Sequence, residues 1–211
     1  MDSDVSRDTD VVSLLNDLAD IMIVNLLWVI TSIPFITLGA STTAMYCVMR
    51  SPGEKRYASS VFLLYFSAFT RNFKKATGIF LLLLIPGALV AVNAVVLFGG
   101  FLAESMVGYF VCSLSLVLFF SLWIYVFPLT ATFDNGILKT VANALTLSVA
   151  HFPTTVLVMA LSLIPVLVLL LFTNFFFKTV FIWVFLVLAL IAKANAYLVE
   201  RVLRRYIPTQ G

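Results

Sequence analysis

The chain has 211 residues, of which 62% are hydrophobic and 11% are charged, and its mean hydropathy is +1.10. Soluble proteins carry about 25% charged residues, so this chain has too few polar side chains to cover a surface in water. The composition excludes a soluble globular protein and predicts one integral membrane domain over residues 1–211. The formal net charge of +3 then reflects topology and contact with anionic lipid, and it does not indicate nucleic-acid binding.

Five transmembrane helices are predicted from the lengths of the uncharged runs, because about 20 apolar residues cross the hydrocarbon core. His151 and Pro153 divide the long run 140–177 into a surface segment and a span, since proline is tolerated in a first helical turn. The predicted fold is all-α, a polytopic membrane helical bundle with short cytoplasmic amphipathic helices. Its spans lie near 18–38, 77–98, 106–127, 154–173 and 179–198.

The basic residues predict the orientation of these spans. Eleven of the thirteen Lys and Arg residues fall on one side, which the positive-inside rule makes cytoplasmic. The C-terminus is then cytoplasmic, where Lys193 is expected to extend to the headgroups. The acidic N-terminal tail is outside, with Asp17 and Asp20 at the outer end of the first span. The tail has no basic region or cleavage site of a signal peptide.

The first span is interrupted within NLLWVITSIPFITLGASTTAMY, residues 25–46. Pro34 lacks a backbone N–H and is expected to end or kink the helix, and Gly39 is expected to adopt the backbone conformation that stops it. One of three hydroxyl residues then caps a short helix running to about Met49. Alternatively, this helix N-terminus binds an anion or a sugar hydroxyl. The helix-break motif comprises Pro34, Thr37, Gly39, Ser41, Thr42 and Thr43.

A second motif is SSVFLLYFSAFTRNFKKA, residues 59–76. Its phenylalanines are spaced 4, 3 and 4 residues apart and so share one helical face, and its basic residues gather at the C-terminal end, where the helix dipole favours cations. Such a helix fits either the headgroup layer or the groove of a partner protein. The candidate partner or lipid surface comprises Phe62, Phe66, Phe69, Arg71, Asn72, Phe73, Lys74 and Lys75.

The sequence also shows a candidate internal repeat. NFKKATGIFLLLLIPGALV, which starts at Asn72, aligns with HFPTTVLVMALSLIPVLVL, which starts at His151. This alignment predicts two units, 58–133 and 137–206, in the same orientation, as in parallel repeats of transporters. The alternative is a chance alignment of two leucine-rich helices that each contain a central proline.

Residues for catalysis or cofactor binding are scarce. His151 is the one histidine, and the two cysteines lie far apart in the predicted topology, so no zinc-like ligand set is predicted. The chain has no nucleotide-binding or hydrolase motif. No secure charged residue lies at the centre of a predicted span, which disfavours an ion-coupled transporter. The sequence therefore predicts neither an enzyme nor a bound cofactor.

The two motifs together resemble the YesL-like family of uncharacterised bacterial membrane proteins, a domain family of unknown function. Ala40 stands where that family usually has proline. The resemblance implies a multi-pass protein of the bacterial cell membrane, and such proteins are often encoded beside carbohydrate uptake and sensing systems. It supplies no catalytic residues. The matching positions are Pro34, Thr37, Gly39, Thr43, Ala44 and Tyr46 in the first motif, and Phe69, Arg71, Asn72, Phe73 and Lys74 in the second.

Two functions remain open at this point. The first is a non-catalytic accessory or regulatory subunit that works with a sugar transporter or a sensor membrane protein through the cytoplasmic basic helices. The second is a small permease whose solute path lies at the broken first helix and the repeat interface. The small size and the lack of intramembrane charge favour the first function.

Overall fold

The computed structural model describes residues 2–51, 60–99, 105–183 and 187–206. Helices and short connections make up the described part of the chain, which contains no strand, so the predicted all-α fold is confirmed. The helices in chain order are α1 (Asp2–Ser32), a 3-10 helix (Phe35–Thr37), α2 (Leu38–Arg50), α3 (Val61–Phe98), α4 (Met106–Thr132), α5 (Ile137–Ala150), α6 (Phe152–Leu171), α7 (Thr173–Lys178), α8 (Val180–Ile182) and α9 (Leu188–Leu203).

Four of the described helices are long and apolar enough to cross a membrane, in agreement with a polytopic membrane protein. The fifth predicted span, 179–198, includes residues 184–186, which lie outside the described residues; α8 and α9 flank them. The four candidate membrane-spanning segments are Leu15–Ser32, Val61–Leu97, Met106–Thr132 and Phe152–Leu171.

The first two helices form an antiparallel hairpin. Trp28 Nε1 donates to Thr42 Oγ1 over 3.1 Å. Earlier residues of α1, such as Val24, pack in one apolar cluster with later residues of α2, such as Val48. Contacts in this order require α2 to run back along α1 after the break. The predicted short helix after the break therefore exists, and it returns along the helix that precedes it.

The prediction of a separate surface helix before the second span is wrong, because α3 is one continuous helix of 38 residues. A helix of that length extends about 57 Å, whereas the hydrocarbon core is about 30 Å thick. Lys74 and Lys75 are good helix formers, and no proline separates them from the apolar run that follows. The charged residues therefore do not end the helix, and they remain the expected membrane boundary along it.

The remaining long helices pack beside α3 through aromatic and polar contacts. α4 runs antiparallel to α3, since Phe80 contacts the Trp123 ring at 6.0 Å and Asn93 Nδ2 lies 3.5 Å from Ser115 Oγ. α6 joins α4, with Tyr125 Oη 3.1 Å from Thr155 Oγ1. The buried apolar side chains of α3, α4, α5, α6 and α9 form one continuous core.

One contact differs from the predicted topology, while the orientation of the termini stays a prediction. Asp17 and Lys193 were placed at opposite membrane faces, but Asp17 Oδ2 lies 3.7 Å from Lys193 Nζ. Lys193 is two turns before Glu200, whose carboxylate lies 3.8 Å from the Arg50 guanidinium at the end of α2. Asp17, at the midpoint of α1, is therefore close to the part of α9 that leads to the basic end of the bundle. Uncharged run lengths do not show that α2 folds back on α1.

The predicted repeat of 58–133 and 137–206 stays a prediction. The two units differ at the aligned position, where the first has the continuous helix α3 and the second has a break between α5 and α6. His151 lies at that break with φ −118° and ψ 43°. The following Pro153 is in the first turn of α6, where it cannot continue a helix from α5.

Candidate functional site

The helix break is held by the side chain of Thr37. α1 ends at Ser32, before Pro34, and the 3-10 helix follows. The Thr37 hydroxyl lies 2.5 Å from the Thr31 carbonyl oxygen and 2.6 Å from that of Pro34. Carbonyl groups at a helix end have no intrahelical partner. Thr37 therefore supplies a hydrogen-bond partner within the break.

The predicted capping role of Ser41, Thr42 and Thr43 is wrong. Thr37 precedes α2 as its N-cap, and its side chain makes no capping bond. The hydroxyls of Ser41, Thr42 and Thr43 donate to carbonyl oxygens four residues earlier, over 3.0, 2.8 and 2.9 Å. They are thus satisfied within α2 and buried in the bundle. This arrangement suits a tightly packed membrane helix, whose interfaces favour small residues.

Gly39 is also inside α2 and does not end a helix, so its predicted role is corrected. A Cβ atom on Gly39 would lie 2.5 Å from the Ala76 carbonyl oxygen and 2.8 Å from Phe80 Cβ. The glycine is therefore required because the backbones of α2 and α3 approach closely. Small residues permit such approach between membrane helices.

On α3, the row of Phe62, Phe66, Phe69 and Phe73 lies partly in the interior and partly at the surface. Phe66 and Phe69 are half-buried and pack against the cluster formed by α1 and α2. Phe62 and Phe73 are 52% and 37% exposed, and Leu63 beside them is 65% exposed. The rings form a continuous ladder, with Phe62 4.6 Å from Phe66 and Phe69 5.5 Å from Phe73 between centroids. The outer edge of this ladder remains open to a lipid or a protein.

The polar residues of the same motif have different partners. Lys75 Nζ donates to the Phe133 carbonyl oxygen over 3.0 Å and lies 3.6 Å from Asp134. Asn72 Nδ2 donates to the Ala68 carbonyl oxygen over 2.9 Å. Lys74 is exposed. Lys75 and Asn72 therefore serve the internal structure, while Lys74 belongs to the surface.

Cys47 connects α2 to this segment. Burial raises the pKa of the Cys47 thiol above its ordinary value of 9.0, although Arg71 and Arg50 act in the opposite direction. Its Sγ lies 3.9 Å from Asn72 Nδ2 and 3.9 Å from the Ala131 carbonyl oxygen. Cys47 therefore lies where α2 meets α3 and α4.

A central cavity of about 230 Å³ lies where α2 meets α1, α4, α6 and α9. No charged residue lines it among the described residues. Asn195 Nδ2 donates to Ser162 Oγ over 2.9 Å, while the buried Oδ1 of Asn195 has no hydrogen-bond partner in the described part of the chain. Its lining is Asn25, Trp28, Leu38, Thr42, Met45, Tyr46, Trp123, Ile124, Val158, Ser162, Pro165, Leu188, Ile191, Ala192 and Asn195.

A layer of charged residues lies at the end of the bundle where α2 ends, and Arg50 is part of it. Arg50 Nη1 donates to Thr132 Oγ1 over 2.8 Å, and its Nε lies 3.8 Å from Glu200 Oε1. Arg50 therefore connects the ends of α2, α4 and α9. The sequence indicates a role for Arg50 in orientation alone. Its partners are 82 and 150 positions away, so no local pattern predicts that they are in contact.

Metal-binding geometry is not found in the described ranges, which hold no cluster of three or more His, Cys, Asp or Glu residues. The polar groups brought together by the fold are amides, hydroxyls and basic side chains, with single carboxylates that pair with the basic side chains. Such groups bind neutral hydrogen-bonding solutes or anions.

A family model described as "Protein of unknown function, DUF624" matches residues 21–94. The chain is similar to that family over this region. The matched region contains the later part of α1, the break, α2 and most of α3, which are the elements that form the hairpin and the aromatic ladder. No curated protein and no solved structure matches the chain.

Proposed function

We propose that the protein is a non-catalytic accessory or regulatory subunit of the bacterial cell membrane that works with a carbohydrate transporter or sensor. The carbohydrate association rests on the resemblance to the YesL-like family. The family model that matches residues 21–94 carries no function of its own. The interaction itself is supported by the part of α3 that precedes the membrane boundary.

This extension of α3 is the observation that carries the proposal. Residues 61–75 span about 22 Å and precede the contact of Lys75 with Phe133, just after the end of α4. One side of the extension is covered by α1 and α2, where Tyr65 is fully buried. The other side presents Phe62, Leu63 and Lys74. Exposed aromatic anchors such as Phe62 are typical of a protein interface, and Lys74 lies about three turns further along the same helix.

The proposed orientation places this extension in the cytoplasm. The positive-inside rule assigns the end of the bundle with Arg50, Lys75 and Arg201 to that side. The contact between Asp17 and Lys193 supports an arrangement in which the middle of α1 lies towards the same side. The α1–α2 hairpin then enters and leaves the membrane on the cytoplasmic side, and the C-terminus is cytoplasmic as well.

The test is affinity purification from native membranes, with the captured proteins identified by mass spectrometry. We expect the wild-type chain to capture a carbohydrate transporter or sensor. The triple variant Phe62→Ala, Leu63→Ala and Lys74→Ala should recover it at least about thirtyfold less, because interface anchors contribute 2 kcal/mol or more. Lys75 is left unchanged because it contacts Phe133 and Asp134.

A matched control removes exposed apolar side chains from the same helix within its membrane-spanning part. Ile85, Leu89 and Val92 are 69%, 59% and 57% exposed, and their triple replacement by Ala should leave the recovery unchanged. Equal recovery by the extension variant and the wild type would contradict the docking surface. Capture of proteins unrelated to carbohydrate transport or sensing would contradict the proposed partner.

A second candidate function, a small permease, is favoured by the central cavity. The cavity touches the beginning of α2 at Leu38 and Thr42, and the unpartnered Asn195 Oδ1 belongs to a lining residue. Uptake of a labelled sugar into vesicles that contain the purified protein alone would support this function. Uptake equal to that of empty vesicles would reject it.

A further inference from the structure

We propose that a cavity at the basic end of the bundle, between α6 and α9, binds the phosphate group of an anionic phospholipid. This inference is independent of the proposed partner, because it uses another surface and another ligand. The cavity has a volume of about 260 Å³. It is lined by His151, Pro153, Thr154, Leu157, Leu198, Arg201, Val202 and Arg205.

The polar side of this cavity is suited to an anion. Arg201 and Arg205 are exposed, and neither pairs with a carboxylate in the described part of the chain. Glu200, the nearest acidic residue in sequence, contacts Arg50 and Arg204 instead. No acidic residue lines the cavity among the described residues. Guanidinium groups bind phosphate oxygens through paired hydrogen bonds.

The contact of His151 with Tyr206 lies at the edge of this cavity. His151 Nε2 and Tyr206 Oη are 3.0 Å apart, and their rings meet edge to face at 5.8 Å. This contact ties the turn after α9 to the corner between α5 and α6. Arg205 belongs to that turn, where its backbone N–H donates to the Val202 carbonyl oxygen over 3.2 Å. The backbone position of Arg205 is therefore set before a ligand binds.

The beginning of α6 adds a favourable electrostatic contribution. His151 is the N-cap of this 20-residue helix, and its side chain makes no capping bond. The first N–H groups of a helix have no intrahelical acceptor, and the helix dipole favours an anion there. Because Pro153 has no N–H, these donors in α6 belong to Phe152 and Thr154. Thr154 in the same turn also lines the cavity. Two arginines and the first turn of α6 thus line one volume.

The apolar side of the cavity points to a lipid as the source of the phosphate. Leu157 and Leu198 line it together with Pro153 and Val202, and Leu157 is 49% exposed. Leu157 lies one turn further along α6, a candidate membrane-spanning segment. A phosphate held at the beginning of α6 would therefore place its acyl chains along the exposed apolar surface of that helix. Basic pockets between transmembrane helices at the cytoplasmic side bind phospholipid headgroups in this manner.

The experiment measures lipid binding to the purified protein by native mass spectrometry, with phosphatidylglycerol or phosphatidylcholine as the probe. We expect the wild type to retain phosphatidylglycerol selectively. The double variant Arg201→Gln and Arg205→Gln should bind it about thirtyfold more weakly, which corresponds to the loss of two basic contacts near a lipid surface. Phosphatidylcholine binding should not change.

Arg204→Gln is the matched control, because Arg204 contacts Glu200 and is not part of the cavity lining. It removes one positive charge, so it is compared with Arg201→Gln and Arg205→Gln taken singly, and it should bind phosphatidylglycerol like the wild type. An equal loss in this control would show a general charge effect and overturn the site. If the double variant does not fold, the two single variants are measured, and wild-type affinity in both would also overturn it.

A separate measurement distinguishes lipid from free phosphate. Inorganic phosphate is added to the protein in neutral detergent, and thermal unfolding is followed with and without phosphatidylglycerol. Stabilisation by phosphatidylglycerol that free phosphate does not reproduce supports the lipid site. Stabilisation by inorganic phosphate alone, without a preference for phosphatidylglycerol, would reject the lipid as the ligand.

Discussion

Gly39 is a position where a single methyl group decides whether two helices can pack. The Ala76 carbonyl oxygen belongs to the backbone of α3 and cannot rotate away from a Cβ on Gly39. The neighbours of Gly39 are small as well, since Ala40, Ser41 and Thr43 are all buried. Close helix contact through small residues is the main source of association inside a membrane, because lipid tails are as apolar as the helices.

We expect Gly39→Ala to lower the stability of the folded protein by about 1–3 kcal/mol, the typical cost of inserting an extra methyl into a packed interior. Thermal unfolding in detergent measures this change. Gly78→Ala is the control, because its nearest neighbour is the flexible end of the Ile137 side chain, at 3.1 Å. An unfolding temperature for Gly39→Ala equal to that of the wild type would refute the close-approach role.

The α1–α2 hairpin determines how the first two helices are arranged against α3. Pro34 and the Thr37 hydroxyl form the turn. The small residues of α2 allow that helix to pack closely against α3. The ring of Phe35 in that turn packs on Phe80 of α3, with centroids 5.1 Å apart. The break is therefore part of the packing of three helices, and it fixes the direction in which α2 leaves it.

The hairpin leads to a topology prediction that differs from the one based on charge counts. In a background without Cys47 and Cys112, cysteines introduced as Asp4→Cys and Lys139→Cys should both be protected from a membrane-impermeant thiol reagent in intact cells. Permeabilised cells should label both, which shows that the sites are reactive. Labelling of Asp4→Cys from outside, with Lys139→Cys protected, would instead indicate that the first helix crosses the whole membrane.

Across the whole bundle, Arg50 connects helices that are far apart in the sequence. Its guanidinium contacts α4 through Thr132 and α9 through Glu200. Both charged side chains are partly exposed, at 35% and 22%, so solvent screening reduces the strength of the pair. The contact nevertheless connects the hairpin to the rest of the bundle at the end that carries the charged layer.

We expect Arg50→Gln to lower the free energy of unfolding by about 1 kcal/mol, since a hydrogen bond from a charged donor is lost and the pair is partly screened. Arg204→Gln is the comparison, because it removes a pair spaced four residues apart on α9 that contributes about 0.3–0.5 kcal/mol. Thermal unfolding at low and high salt measures both. A smaller loss for Arg50→Gln than for Arg204→Gln would contradict the bridging role.

The candidate surface on α3 could be predicted from the sequence in part. The aromatic spacing placed Phe62 and Phe73 on a helical surface, and both are exposed on α3. Lys75 was assigned to the same surface, but the structure brings it to Phe133 and Asp134. The helical period shows which residues share a face. It does not show which part of that face another helix covers.

The class of the protein follows from its sequence alone. Low charge and long apolar runs leave helices in a membrane as the stable arrangement, because each backbone polar group in lipid must be satisfied within the chain. The break near Pro34 follows too, because it depends on a missing N–H. The tertiary structure decided that α2 returns along α1, that Gly39 serves close packing and that Asp17 meets Lys193. These features depend on contacts between distant residues, which composition and periodicity do not encode.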